Sequence, residues 1–144
     1  MSTKLRPVAA IALVTWRYAS HVDMASYRKF VPSGVPTAAI FVGIVPYAMF
    51  NAAFEELVWR GVVWQACAAE FGAVGALLLS TLSFGLAHYR GFPSGLLGVL
   101  LASTYGLMMG IVRIRTRGLF GPWLAHVFAD IVIFSMVALM VVSG

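Results

Sequence analysis

Long apolar stretches separated by short polar gaps run through most of the chain. Hydrophobic residues are nearly continuous from Thr37 to Phe71, and further apolar stretches follow each later polar gap. A predominantly apolar stretch of about 20 residues is long enough to cross a bilayer as a helix. The pattern therefore predicts membrane helices at 37–50, 52–70, 73–88, 95–114 and 122–142.

The stretch from Thr37 to Phe71 is too long for one membrane helix. Its roughly 35 residues would extend about 52 Å at 1.5 Å per residue, whereas the hydrocarbon core is about 30 Å thick. Pro46 can kink a helix, and Asn51 is a favourable N-cap residue. We therefore expect one helix to end near residue 50 and a second to begin near residue 52.

Glycine and other small residues mark the later elements. Gly72 and Gly75 predict a turn between the second and third helices. In the fourth helix, a stripe of small residues at every fourth position from 98 to 110 would let neighbouring helices approach closely in lipid. Pro122 is a suitable first-turn proline for the last helix.

Composition places this pattern in the membrane class. The chain is 61% hydrophobic and only 10% charged, compared with about 25% charged residues in a soluble domain. We predict an all-α fold, a polytopic transmembrane helical bundle with about five spanning helices and a short N-terminal apolar helix near residues 7–16. Residues 1–36 would form an N-terminal apolar segment and a polar loop, and residues 37–142 the membrane-embedded core.

Charge and cysteine content exclude several functions. The net charge is +5, but the positive residues lie in short gaps, as in cytoplasmic loops of membrane proteins. No basic run is interleaved with aromatic residues, so we expect no nucleic-acid partner. The single cysteine, Cys67, excludes an internal disulfide and a multi-cysteine zinc site.

Costly polar residues interrupt the apolar segments at three places. Glu55 and Glu56 precede Arg60, His88 follows Phe84 by four residues, and Asp130 follows His126 by four residues. A charged side chain at the bilayer centre costs about 2.5–3.5 kcal/mol on insertion scales. We interpret these groups as one intramembrane catalytic site, with the following candidates: Glu55, Glu56, His88, His126 and Asp130.

Helical geometry suggests a different role for each of the candidate residues. Positions 55 and 88 are nearly equidistant from the predicted turn at Gly72, so an antiparallel hairpin brings Glu55 and His88 to the same level. Glu56 and Arg60 are four residues apart and can form a structural ion pair, which leaves Glu55 free as the reactive carboxylate.

No serine, cysteine or threonine stands in an obvious nucleophile motif, so water is the expected nucleophile. Glu55, helped by His88, would activate this water. His126 and Asp130 would orient the water or stabilise the tetrahedral oxyanion. The reaction expected is hydrolysis of an amide bond inside the membrane.

The three motifs together resemble the signatures of the CAAX prenyl protease and bacteriocin-processing family. They are Glu55-Glu56-x-x-x-Arg60, Phe84-x-x-x-His88 and His126-x-x-x-Asp130, and the resemblance extends over roughly residues 37–142. It implies an all-helical membrane endopeptidase in which the first glutamate activates water and both histidines belong to the site. Residues 37–142 would then be the protease core.

Asp130 departs from the family pattern, which usually has asparagine at this position. Asparagine can donate a hydrogen bond to an oxyanion, whereas an ionised aspartate cannot. Asp130 is therefore protonated, or orients His126, or binds a metal. We expect no cofactor; the alternative is a zinc-dependent protease whose ligands are Glu55, His88, His126 and Asp130.

The expected partners are the lipid bilayer and a membrane-embedded protein or peptide substrate. Candidate substrates are C-terminal sorting tails, peptide leaders and prenylated tails, and we regard prenylated tails as the weakest of these. The rival functions are a non-catalytic immunity or scaffold protein and a small ion carrier. We expect an integral protein of the bacterial inner membrane, with its site entered from the extracytoplasmic leaflet if the arginines at 113–117 are cytoplasmic.

Overall fold

A computed structural model describes residues 34–143 and, before them, residues 11, 14–15, 17–19 and 29. All regular structure in this part of the chain is helical, which confirms the predicted all-α class. The main elements are α1 (Thr37–Glu56), a π-helical segment (Leu57–Val63), α2 (Trp64–Ala87), α3 (Gly95–Thr116) and α4 (Phe120–Ser143). Most of the predicted N-terminal helix at 7–16 and most of the polar loop lie outside the described residues.

Three helical stretches are long and apolar enough to cross a membrane. They are Thr37–Ala87, Gly95–Thr116 and Phe120–Val142. Many of their large apolar side chains are exposed, among them Phe54 at 70% and Leu82 at 55%. Apolar surface of this extent requires a lipid environment, so the protein is an integral membrane protein.

The longest of these stretches is interrupted at Gly72. This residue has φ of 67° and ψ of −176°, a combination that is essentially restricted to glycine. The chain therefore changes direction inside α2, at the turn that the sequence predicts. The return limb packs on the segment before the break, since the rings of Trp59 and Phe84 meet edge to face at 5.9 Å.

The predicted helix end near residue 50 is wrong. α1 continues without interruption through Pro46 and Asn51 to Glu56, where the π-helical segment begins. Asn51 is therefore not an N-cap. Its side chain donates instead to Asp130, 79 residues away in sequence, and this tertiary partner outweighs the local capping preference.

The small-residue stripe of α3 packs closely against α2. Gly98, Ala102, Gly106 and Gly110 are all buried. A Cβ added at Gly106 would lie 3.0 Å from the Phe84 ring, and at Gly110 it would clash with a Leu77 methyl group. The stripe thus permits the close helix contact that the sequence predicts.

The described chain divides into two compact units. One unit is Ala52–His126, and the other combines the segment ending at Asn51 with the segment beginning at Val127. In the second unit, the Asn51 side chain contacts Asp130, and the rings of Tyr47 and Phe134 meet edge to face at 4.9 Å.

Candidate active site

A buried ion pair lies at the junction between α1 and the π-helical segment. Arg60 Nη1 donates to Glu56 Oε1 at 3.1 Å, and both side chains are only 1% exposed. Arg60 Nη2 donates to the carbonyl of Gly106 at 3.0 Å, and its guanidinium carbon lies 4.6 Å from the Phe84 ring centroid. The contact predicted between Glu56 and Arg60 is present.

The same carboxylate oxygen of Glu56 also contacts His126. His126 Nδ1 lies 2.8 Å from Glu56 Oε1. Because this oxygen already accepts from Arg60, it is an acceptor for His126 as well, and Nδ1 must carry the proton. In a neutral imidazole, Nε2 is then the basic nitrogen.

Glu55 occupies a different environment from Glu56. Its side chain is 25% exposed, and its Oε2 lies 3.6 Å from His126 Nε2. This separation is longer than a direct hydrogen bond. The prediction that Glu55 stands free is wrong, since it faces the basic nitrogen of His126. Of the two glutamates, only Glu55 is partly exposed, whereas the Glu56 side chain is 1% exposed.

His88 lies at the end of α2 and is fixed by its own helix. Its Nδ1 lies 2.9 Å from the carbonyl oxygen of Phe84, which can only accept, so Nδ1 carries the proton and Nε2 is the basic nitrogen. The Phe84 ring lies 4.6 Å from the His88 ring and 6.4 Å from the His126 ring. Phe84 thus contacts both imidazoles as well as Arg60.

Asp130 lies in the other compact unit. Its side chain is buried, at 5% exposure, and its Oδ2 accepts a hydrogen bond from Asn51 Nδ2 at 3.0 Å. Of the predicted site residues, the unit Ala52–His126 therefore brings together Glu55, Glu56, Arg60 and His126, with His88 reached through Phe84.

Sequence reasoning did not identify three residues that contact the predicted site residues. The ring of Tyr105 meets His126 edge to face at 5.2 Å, the carbonyl of Gly106 accepts from Arg60, and Asn51 holds Asp130. Only Asn51 carried a usable signal, because an amide in an apolar helix is costly in lipid. The sequence around Tyr105 is ordinary for a membrane helix. A backbone carbonyl such as that of Gly106 leaves no signal in the sequence.

The residues described do not include three His, Cys, Asp or Glu side chains arranged to hold a metal ion. Two atoms of the alternative zinc set contact protein groups. His126 Nδ1 contacts Glu56, and Asp130 Oδ2 contacts Asn51.

The fold and the cluster define a class: helical integral membrane proteins that bury carboxylates, an arginine and imidazoles between their helices. The family model for type II CAAX prenyl endopeptidase Rce1-like proteins matches residues 37–132, and the chain belongs to this family. Membership confirms the resemblance read from the three motifs, all of which lie within the match. It implies a protease that acts on a membrane-associated protein. No curated protein and no solved structure matches the chain.

Proposed function

We propose that the protein is an intramembrane endopeptidase that hydrolyses a peptide bond of a membrane-associated protein or peptide. The observation that carries the proposal is the chain of contacts from Arg60 through Glu56 to His126, which ends at the partly exposed Glu55. A buried, charge-balanced pair thus fixes an imidazole whose basic nitrogen faces a partly exposed carboxylate.

In this mechanism, Glu55 is the general base. A water molecule about 2.8 Å from both Glu55 Oε2 and His126 Nε2 is compatible with the 3.6 Å between those atoms, because hydrogen bonds of that length can converge on one oxygen. Glu55 takes the proton as the water oxygen attacks the scissile carbonyl carbon. The proton then passes to the leaving amine, as general acid–base catalysis requires.

His88 assists activation of the water, His126 orients this water through its basic Nε2, and a protonated Asp130 donates to the tetrahedral oxyanion, because an ionised carboxylate cannot donate. His88 can accept a proton at Nε2, since its Nδ1 proton is engaged by Phe84. Asp130 is held by Asn51. Glu56 acts through His126, whose ring orientation and tautomer it fixes, much as a carboxylate orients the histidine of a catalytic triad.

The mechanism uses no metal or other cofactor. We propose C-terminal sorting tails or peptide leaders as the substrate class, and the bacterial inner membrane as the location. In the assay below, a chelator such as EDTA should leave the cleavage rate unchanged. If the chelator abolishes cleavage and added zinc restores it, the metal-dependent alternative is supported instead.

The test compares the wild-type chain with Glu55→Gln, which removes the base but keeps the shape of the side chain. Membrane proteomes of cells that express each version should differ by an uncleaved precursor, and cleavage of that precursor by purified protein should fall about 10²–10⁴-fold. The thermal unfolding midpoint in detergent should stay the same.

Glu70→Gln is the matched control, because Glu70 is an exposed carboxylate of the same chain. It should cleave at the wild-type rate. If Glu55→Gln and Glu70→Gln behave alike, the hydrolase proposal is wrong, and an immunity or scaffold function is the better explanation.

A further inference from the structure

The three arginines at the end of α3 do not share one environment. Arg115 and Arg117 are exposed, whereas Arg113 is half-buried. The Nε of Arg113 donates to the backbone carbonyl of Arg60 at 3.4 Å, across 53 residues of sequence. An arginine that serves only to keep a loop in the cytoplasm needs no such partner. Arg113 therefore makes a contact that membrane topology does not explain.

The π-helical geometry explains why the Arg60 carbonyl needs a donor from another helix. In an α-helix, the N–H of Trp64 would donate to this carbonyl, four residues earlier in the chain. Here the same N–H is directed to the carbonyls of Gly61 and Trp59. A backbone carbonyl in an apolar segment is costly to leave without a donor, because lipid cannot supply one. Arg113 thus supplies a donor to the carbonyl that has lost its α-helical one.

One face of α3 contacts this segment at successive turns. The carbonyl of Gly106 accepts from Arg60 Nη2 at 3.0 Å, and a Cβ added at Gly110 would lie 3.6 Å from Cζ3 of Trp64. Positions 106, 110 and 113 lie on the same side of a helix, because they are spaced by four and three residues. α3 therefore holds Arg60 by its side chain and by its backbone.

The position of this segment matters for the proposed site. Arg60 donates to Glu56 Oε1, and the same oxygen lies 2.8 Å from His126 Nδ1. A shift of the segment would therefore move the group that orients the imidazole. We propose that Arg113 is a positioning residue of the enzyme, which keeps Glu56 beside His126 by holding the backbone of the π-helical segment. This inference rests on the proposed function.

The experiment separates the donor of Arg113 from its charge. The side-chain nitrogen of glutamine lies as many bonds from Cα as arginine Nε, so Arg113→Gln keeps a donor but removes the charge. Arg113→Met removes both. kcat and KM are measured for cleavage of the precursor by purified protein, well below the unfolding midpoint. Arg113→Met should lower kcat about tenfold and leave KM within about threefold, whereas Arg113→Gln should keep kcat within about threefold of wild type.

Two further variants complete the comparison. Arg115→Met removes the same charge from the same end of α3, at an exposed position, and should leave kcat unchanged. Arg113→Asn keeps an amide that is one methylene too short to reach the carbonyl. It should be about as slow as Arg113→Met, and it takes the place of that variant if Arg113→Met does not yield folded protein.

Glu55→Gln in the same assay tests the hydrolase itself. If it cleaves at the wild-type rate, the proposed function is wrong and the positioning role falls with it. If Glu55→Gln abolishes cleavage but Arg113→Met keeps wild-type kcat, the role of Arg113 alone is refuted. It is also refuted if Arg113→Gln is as slow as Arg113→Met, because the charge and not the donor would then be what matters.

Discussion

One carboxylate oxygen of Glu56 accepts hydrogen bonds from two donors that are far from each other in the sequence. Arg60 lies one turn away on the next helical segment, whereas His126 lies 70 residues later. The other oxygen, Oε2, is buried and makes no hydrogen bond within the described part of the chain. Burial of the Glu56 carboxylate costs free energy that these two donors offset. Removal of either donor should therefore destabilise the fold.

Replacement of Arg60 tests this dependence. Arg60→Met keeps much of the side-chain volume but leaves the Glu56 carboxylate without its cation, and breaking a buried ion pair in this way costs on the order of 3–5 kcal/mol. We expect a clear drop in the thermal unfolding midpoint of purified protein in detergent. The double variant Glu56→Gln with Arg60→Met should recover part of the loss, because it removes the unpaired charge.

Arg115→Met is a suitable control, because Arg115 is exposed near the end of α3. Its unfolding midpoint should match that of the wild type. Equal midpoints for Arg60→Met and Arg115→Met would contradict the view that the buried pair stabilises the fold.

For individual residues, the sequence predicted contacts within one helix and missed contacts between two helices. Glu56 and Arg60 are four residues apart, so helical geometry alone brings them together. The sharing of Glu56 with His126 could not be predicted, because it depends on how two distant helices pack. For the same reason, Asn51 was assigned a local capping role although its partner is Asp130.

The π-helical segment is the element that the sequence did not reveal. Leu57–Val63 directly follows the two glutamates and contains Arg60. Its residues are as apolar as their neighbours, so no change in hydrophobic pattern signals the change in helix type. Wider helical turns of this kind often lie at functional sites, and Arg113 Nε donates to the carbonyl of Arg60 within this one at 3.4 Å.

The contact between α2 and α3 is close enough that one added methyl group should disturb it. A Cβ added at Gly85 would clash with Ser103 Oγ and lie 3.0 Å from the backbone carbonyl of Val99. Since backbone cannot move aside cheaply, Gly85→Ala should push the helices apart. Overpacking of this kind costs about 1–3 kcal/mol, and we expect a lower unfolding midpoint together with slower cleavage, because Phe84 and His88 lie on the displaced limb.

The control for this substitution is Gly43→Ala. Gly43 lies in α1, and an added Cβ there meets nothing within 4 Å, so the change should be neutral or slightly stabilising. A Gly85→Ala variant as stable and active as Gly43→Ala would show that α2 and α3 do not need this close approach.

For the whole molecule, the sequence predicted the all-helical class, the break at Gly72 and the small-residue stripe of α3. It failed where a local rule competed with long-range packing, because the predicted helix end near Asn51 rested on membrane thickness and capping preference. α1 instead continues to Glu56. Membrane thickness limits how much of a helix lies in hydrocarbon, but it does not oblige the helix to end there.

The loops at the two ends of α3 differ in charge, and this difference predicts the orientation in the membrane. α3 has 22 residues, about 33 Å at 1.5 Å per residue, so it can cross the hydrocarbon core. Arg115 and Arg117 lie exposed at its C-terminal end, whereas the loop before it exposes Arg90, two residues after His88. Since loops rich in arginine stay in the cytoplasm, His88 should lie toward the extracytoplasmic side.

Cysteine labelling in intact cells measures this orientation. In a Cys67→Ala background, Arg90→Cys should react with a membrane-impermeant maleimide added outside, and Arg115→Cys should react only after the membrane is permeabilised. The unsubstituted Cys67→Ala protein gives the background signal. The opposite result, with position 115 labelled from outside and position 90 protected, would place the His88 end of the site at the cytoplasmic leaflet. A substrate would then have to enter from the cytoplasm, which would exclude the sorting tails of exported proteins as they emerge on the outer side.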